Sequence, residues 1–196
     1  MKKYKSVNFN QEKVDRLNFE KLEFDNCDFS NLNLESQVIE NCQFNDCNFK
    51  YTRLNDSKIV SSSFFNCNFN SSNLFLAKLI NCRLVGSNFI NSNMSGILIK
   101  DGDWSFTKLC DLDLSENKFK DINFENADFY NSNLKETNFL NCNLKGVDFD
   151  KANLNKANIK GCNIENVDFK SVDLKNLIID FSQSSLIVNS LGCIFE

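Results

Sequence analysis

The sequence predicts an all-β solenoid, a four-sided β-helix with a short C-terminal helix. Three observations carry this reading. Every fifth residue from Phe9 to Ile179 is large and apolar, without one slip of register. Sorting those residues by a period of twenty separates phenylalanine from leucine. And there is no proline among the 196 residues.

A period of five matches neither the 3.6 of a helix nor the 2.0 of a strand, so it describes a chain that turns a corner every five residues. The period of twenty sets four such segments to a coil. One column reads Phe9, Phe29, Phe49, Phe69, Phe89, Leu109, Phe129, Phe149, Phe169, and the next Val14, Leu34, Leu54, Leu74, Met94, Leu114, Leu134, Leu154, Leu174. Coils stack at the strand spacing of ~4.8 Å, which puts like side chains in ladders and phenylalanine rings within stacking range. Each buried centre contributes about 1.5–3 kcal/mol, which must offset the ordering of five residues. No coil can bury its face alone, so stability is shared between neighbours. Such a ladder leaves few places for a residue without an N–H, which accounts for the missing proline.

Two residues before each centre the side chain is small or modest, as at Cys27, Cys42, Cys47, Thr52, Ser57, Ala77 and Ala127. Seven of the nine cysteines fall here, and Cys27, Cys47 and Cys67 share a column. They read as small buried hydrophobes. No CxxC pair exists and histidine is absent, so neither metal nor any other cofactor is expected.

The absence of histidine also excludes a catalytic triad or a histidine base, and no glycine-rich phosphate loop is present. The chain therefore reads as a binding protein and not an enzyme. A pI near 5.0 argues against direct nucleic-acid binding. No apolar run suits a membrane span and no signal peptide is visible, so the expectation is a cytoplasmic protein without a membrane partner.

The chain divides into an N-terminal cap segment (1–8), an uninterrupted solenoid (9–179) and a C-terminal tail (180–196). In the tail, Asp180 or Ser182 can cap a helix that Gly192 ends, with Leu186, Ile187 and Leu191 as its apolar stripe. An apolar end on a solenoid needs cover, either as a lid on its own rod or as a two-fold dimer contact. The residues expected at a dimer interface are Leu186, Ile187, Leu191, Ile194 and Phe195.

Segments such as Ala127-Asp128-Phe129-Tyr130-Asn131 and Ala152-Asn153-Leu154-Asn155-Lys156 resemble the pentapeptide-repeat proteins. That resemblance implies a right-handed quadrilateral β-helix, here of about nine coils. The tail is similar to that of the Qnr quinolone-resistance proteins at Asp180, Gln183, Ser185, Leu186, Leu191 and Gly192. The stretches Asn26-Cys27-Asp28-Phe29-Ser30 and Cys47-Asn48-Phe49 also look Qnr-like. The likeness implies a homodimer that imitates duplex DNA, binds DNA gyrase or topoisomerase IV, and protects them from quinolones. Many Qnr proteins interrupt their coils with two loops, whereas this register carries no insertion.

A net charge of −4 spread over a rod of roughly 40 Å is far sparser than the charge per ~1.7 Å of duplex DNA, so local patches matter more. Candidate partner-facing acids are Asp101, Asp103, Asp111, Asp113, Asp128, Asp148 and Asp168, the last three in one column. Residues 57–100 contain no acid and four cations, Lys58, Lys78, Arg83 and Lys100. Two functions compete: a topoisomerase-binding DNA mimic and a scaffold for some other protein. The charges could equally serve only to solvate the rod.

Overall fold

A computed structural model describes residues 1–193, so Ile194 and Phe195 lie outside the described residues. The centres from Phe9 to Phe169 are all buried, and Leu174 and Ile179 pack half-buried against the same core. Four walls surround that core, named here by one centre each: the Phe29, Leu34, Ile39 and Phe44 faces. The Phe29 and Ile39 faces are opposite each other.

Pairing is parallel with a register of twenty throughout. On the Phe44 face β1 (Lys2–Lys5) pairs with β2 (Leu22–Asp25), then β4 (Gln43–Asn45) and β6 (Ser63–Phe65). On the Ile39 face β3 (Val38–Glu40) pairs with β5 (Lys58–Val60). Both lines merge in β7 (Lys78–Arg83) and continue through β8 (Leu98–Asp103), β9 (Lys118–Asn123) and β10 (Asn138–Leu140). This strand path accounts for about seven turns, slightly fewer than nine. Beyond it, isolated bridges carry the same register as far as Asn158↔Ile178.

Corners come from one repeated conformation. The residue two past a centre is left-handed, as at Asn26 (φ 51°), Asp46 (φ 50°) and Asn91 (φ 60°). Asn and Asp tolerate that region, which is why they crowd these positions. The N–H of the following residue then donates back to the centre's carbonyl, as Ser72 does to Phe69 at 3.0 Å.

The small residue two before each centre does more than fill space. Thr52 Oγ1 donates to the Phe29 carbonyl (2.8 Å), Ser87 Oγ to Phe64 (3.0 Å) and Cys82 Sγ to Ile59 (3.4 Å). Cys, Ser and Thr interchange here because each is small and can give its one donor to the coil below, although the Ser57, Ser72 and Ser92 hydroxyls in the same position have no partner among the described residues. Burial pushes the Cys82 thiol up to about 11, which keeps it protonated and inert.

Both ends depart from plain coil. Tyr4 pairs with Phe24 and stacks on its ring at 5.2 Å, so the ladder already runs through residues 2–5. Next comes α1 (Gln11–Asp15), which keeps Val14 in register and buried. Its Gln11 side chain accepts from Asn33 N (2.8 Å) and donates to Asn33 O (2.9 Å), as a neighbouring strand would. At the other end α2 (Phe181–Ser190) starts on a capping box between Asp180 and Gln183. Gln183 is buried and its amide donates to Ile159 O (2.7 Å) and Cys162 O (2.9 Å). Beyond the C-cap residue Leu191, Gly192 takes φ 88°.

The middle of the rod holds one irregularity. Trp104 stands where the Phe44 face would carry a smaller centre, and its ring stacks on Phe89 of the adjoining Phe29 face at 5.3 Å. Its indole N–H is buried without a partner among the described residues. Gly102, two residues earlier, has φ 126°, and a Cβ there would stand 2.1 Å from the Cys82 carbonyl oxygen. The backbone passes too close to the coil below for any other residue.

Candidate partner-binding surfaces

The lumen is filled by the buried centres, so the surface open to a partner is the outside. The C-terminal end offers the largest apolar exposure. Helix α2 turns Gln183 and Ile187 inward and leaves Leu186 and Leu191 exposed at 39% and 44%. Ile187 thus joins its own chain's core, because the Gln183 anchor fixes which side of the helix faces the last coil. That differs from its expected place beside Leu186 in a dimer contact. Phe181, which sequence reasoning missed, is 94% exposed. Its signal was visible only in hindsight: it is the first helical residue after Asp180, where no coil remains to cover it.

The acids divide by face. Asp103 is on the Phe44 face, Asp113 on the Leu34 face, and Asp101 and Asp111 at corners, so these four encircle the rod and form no single patch. Asp128, Asp148 and Asp168 do share the Phe29 face, with Asp128 and Asp148 bridged between coils. Most of these carboxylates also have a local task. Asp103, Asp113, Asp128, Asp148 and Asp168 each accept the backbone N–H two residues on, at 2.8–3.1 Å. Asn68 and Asn73 do the same in the acid-free coils. The Ser115 hydroxyl and N–H, together with Asn133, hold the Asp113 carboxyl below its ordinary range. Lys100 approaches Asp101 at 3.8 Å, and Asn131 donates to Asp111 at 2.7 Å.

Near the C-terminus the column borders two clefts. Asp148, Asp150 and Asp168 line a shallow cleft of about 400 Å³ with Asn166. A neighbouring cleft of about 430 Å³ lies between Asp168, Lys170 and α2, and Leu186 lines it. Carboxylates and exposed apolar helix are therefore contiguous. Among the described residues no cluster of acids and cysteines is arranged to hold a metal ion.

The family model for the pentapeptide repeat region matches residues 17–94 and 103–179. The chain belongs to the pentapeptide-repeat family. The interruption of the match abuts Gly102 and Trp104, the irregular coil. Among solved structures this pentapeptide-repeat protein is similar to QnrB1, a plasmid-mediated fluoroquinolone resistance protein. A trypsin-treated QnrB1 shares 22% identity at a TM-score of 0.69, covering 100% of this chain and 98% of that one. Full-length QnrB1 shares 21% at 0.67, covering 97% of each. No curated protein matches significantly by sequence. The likeness establishes a common fold, including its extent from end to end. No helix of the described residues is long and apolar enough to cross a membrane.

Proposed function

We propose that this protein is a Qnr-like binder of type II topoisomerases, DNA gyrase or topoisomerase IV, that protects them from quinolones as a C-terminus-to-C-terminus homodimer. The observation that carries the reading is the contiguity of the acidic cleft with the exposed side of α2. A two-fold contact through Phe181, Leu186 and Leu191 brings two copies of Asp148, Asp150 and Asp168 to the centre of a rod of about 80 Å. Carboxylates there suit the cationic channel of a DNA-binding enzyme, since clefts lined by one sign of charge focus the field. The other acids encircle the rod and serve its corners, so the active column is short. As in the sequence reading, no cofactor takes part and no reaction is catalysed. Full-length correspondence of fold with QnrB1 supports the reading.

The test is gyrase supercoiling with ciprofloxacin, with and without the purified protein. Restored supercoiling is expected, with loss of rescue for Asp148→Lys combined with Asp168→Lys. Absence of rescue at every concentration below inhibition sinks the proposal. In sedimentation, Phe181→Asp with Leu186→Asp should give monomers; dimers that persist rule out α2 as the contact.

A further inference from the structure

Three of the four cations of the acid-free stretch 57–100, Lys58, Lys78 and Lys100, fall on one wall. The Ile39 face presents six consecutive rungs, from β3 to β10, as a flat parallel sheet. Its outward side chains are Val38 and Glu40, Lys58 and Val60, Lys78 and Ile80, Leu98 and Lys100, Lys118 and Lys120, Asn138 and Leu140. Five lysines thus face one glutamate, in a chain of net charge −4. Lys58, Lys100 and Lys120 approach acids only at 3.7–3.9 Å, and Lys78 and Lys118 form no ion pair among the described residues. Val38, Leu98 and Leu140 are exposed at 50%, 44% and 39%. The acidic column of Asp128, Asp148 and Asp168 is on the opposite wall and nearer the C-terminus, so the basic and acidic surfaces are separated both around the rod and along it.

We propose that the Ile39 face binds the surface of an anionic lipid bilayer. The composition selects that partner. Protein hot spots favour Trp, Tyr and Arg, and nucleic-acid surfaces favour arginine and stacking aromatics. This wall carries none of them. Lysines interspersed with aliphatic residues, on a plane about 24 Å long, match a headgroup layer in charge, flatness and shallow apolar contact. The sequence reading set membranes aside for want of a span; a peripheral face needs none. This inference is independent of the topoisomerase reading.

The experiment is co-sedimentation of the full chain with vesicles of phosphatidylcholine, with and without phosphatidylglycerol, across a salt series. Binding should require phosphatidylglycerol and fall with salt. Lys78→Glu with Lys118→Glu should lower partition by about 25-fold or more, at about fivefold per lysine removed. Lys135→Glu with Lys175→Glu, the same change of net charge on the Leu34 face, should leave partition within about threefold, since the field decays within a Debye length. Leu98→Ser should weaken binding several-fold with the salt slope unchanged. The proposal is overturned by no partition, by equal partition into phosphatidylcholine alone, by equal loss in the Leu34-face pair, or by duplex DNA binding more tightly than the vesicles.

Discussion

The two halves of the rod are built on one register but held together differently. Up to Phe89, two aromatic ladders run side by side: Tyr4, Phe24, Phe44 and Phe64 on one face, Phe9 through Phe89 on the next. Successive rings stack at 4.6–5.2 Å and near parallel. Beyond Trp104 the rings scatter over three faces, and among the described residues the one stacked pair, Phe129 with Phe149, is at 5.7 Å and 25°. The outside differs in parallel, basic and aliphatic in the middle coils and acidic toward α2. A repeat therefore fixes the backbone while leaving core chemistry and surface charge free to vary coil by coil.

Four measurements would break or sharpen that contrast. The largest effect is expected at the junction. Gly102→Val forces a side chain against the Cys82 carbonyl at a backbone angle it disfavours, at a cost of roughly 3–6 kcal/mol. Hydrogen exchange should then show the halves opening separately; one shared opening would show that the junction does not couple them. Next is Gln183→Ala, which leaves the Cys162 carbonyl without its donor at about 1–3 kcal/mol, whereas Ile159 O keeps the Cys162 N–H at 3.1 Å. Loss of protection should be confined to the last coils, and uniform loss along the rod would contradict the local account. Third, Phe49→Leu should cost about 1 kcal/mol more than Phe129→Leu in denaturant titrations. Phe49 has stacked neighbours on both sides at 5.0 and 4.8 Å, and Phe129 on one only. Equal costs would mean that shape, not stacking, fills the N-terminal lumen.

The smallest effect is on acid stability. Asp180 is held below its ordinary 3.8 by Ser182 first and then by the N–H groups of Gly161 and Gln183, and Asp113 is lowered by Ser115. A lowered folded-state value stabilises above 3.8, and that contribution is lost as pH falls through the folded value. Both groups belong to the C-terminal half. Proteolysis below pH 3.8 should therefore release α2 before the N-terminal coils, and the reverse order would refute the assignment.

Much of this was legible in the sequence. The register of five and twenty located every core centre from Phe9 to Ile179, because the apolar series never slips. The stop at Gly192, just past the C-cap Leu191, followed from local chemistry, and of the two N-cap candidates, Asp180 and Ser182, the helix uses Asp180. Other features were hidden for definite reasons. Helix α1 escaped notice because Val14 stays in register and looks like any other centre. The ladder at Tyr4 escaped because Lys2, Lys3 and Lys5 disguise it. The local task of Asp113 and Asp128 was invisible because Asn and Asp cap the same turn, so a charged residue there reads as a surface signal. Ile187 was expected beside Leu186 on one stripe, but the depth of Gln183 rotates only one of them inward.

The glutamine side chains at the two ends have a further consequence. A glutamine amide carries one acceptor and a donor, as a peptide group does, so Gln11 and Gln183 act as the last rung of a ladder that has no more coils. Stacked parallel strands with open ends are the geometry by which fibrils grow. Here a terminal side chain has already occupied part of the template at each end, and Lys2, Lys3 and Lys5 line the strand edge that remains. Stacking of a further strand at either end of the described rod therefore meets a side chain where it needs a free peptide edge.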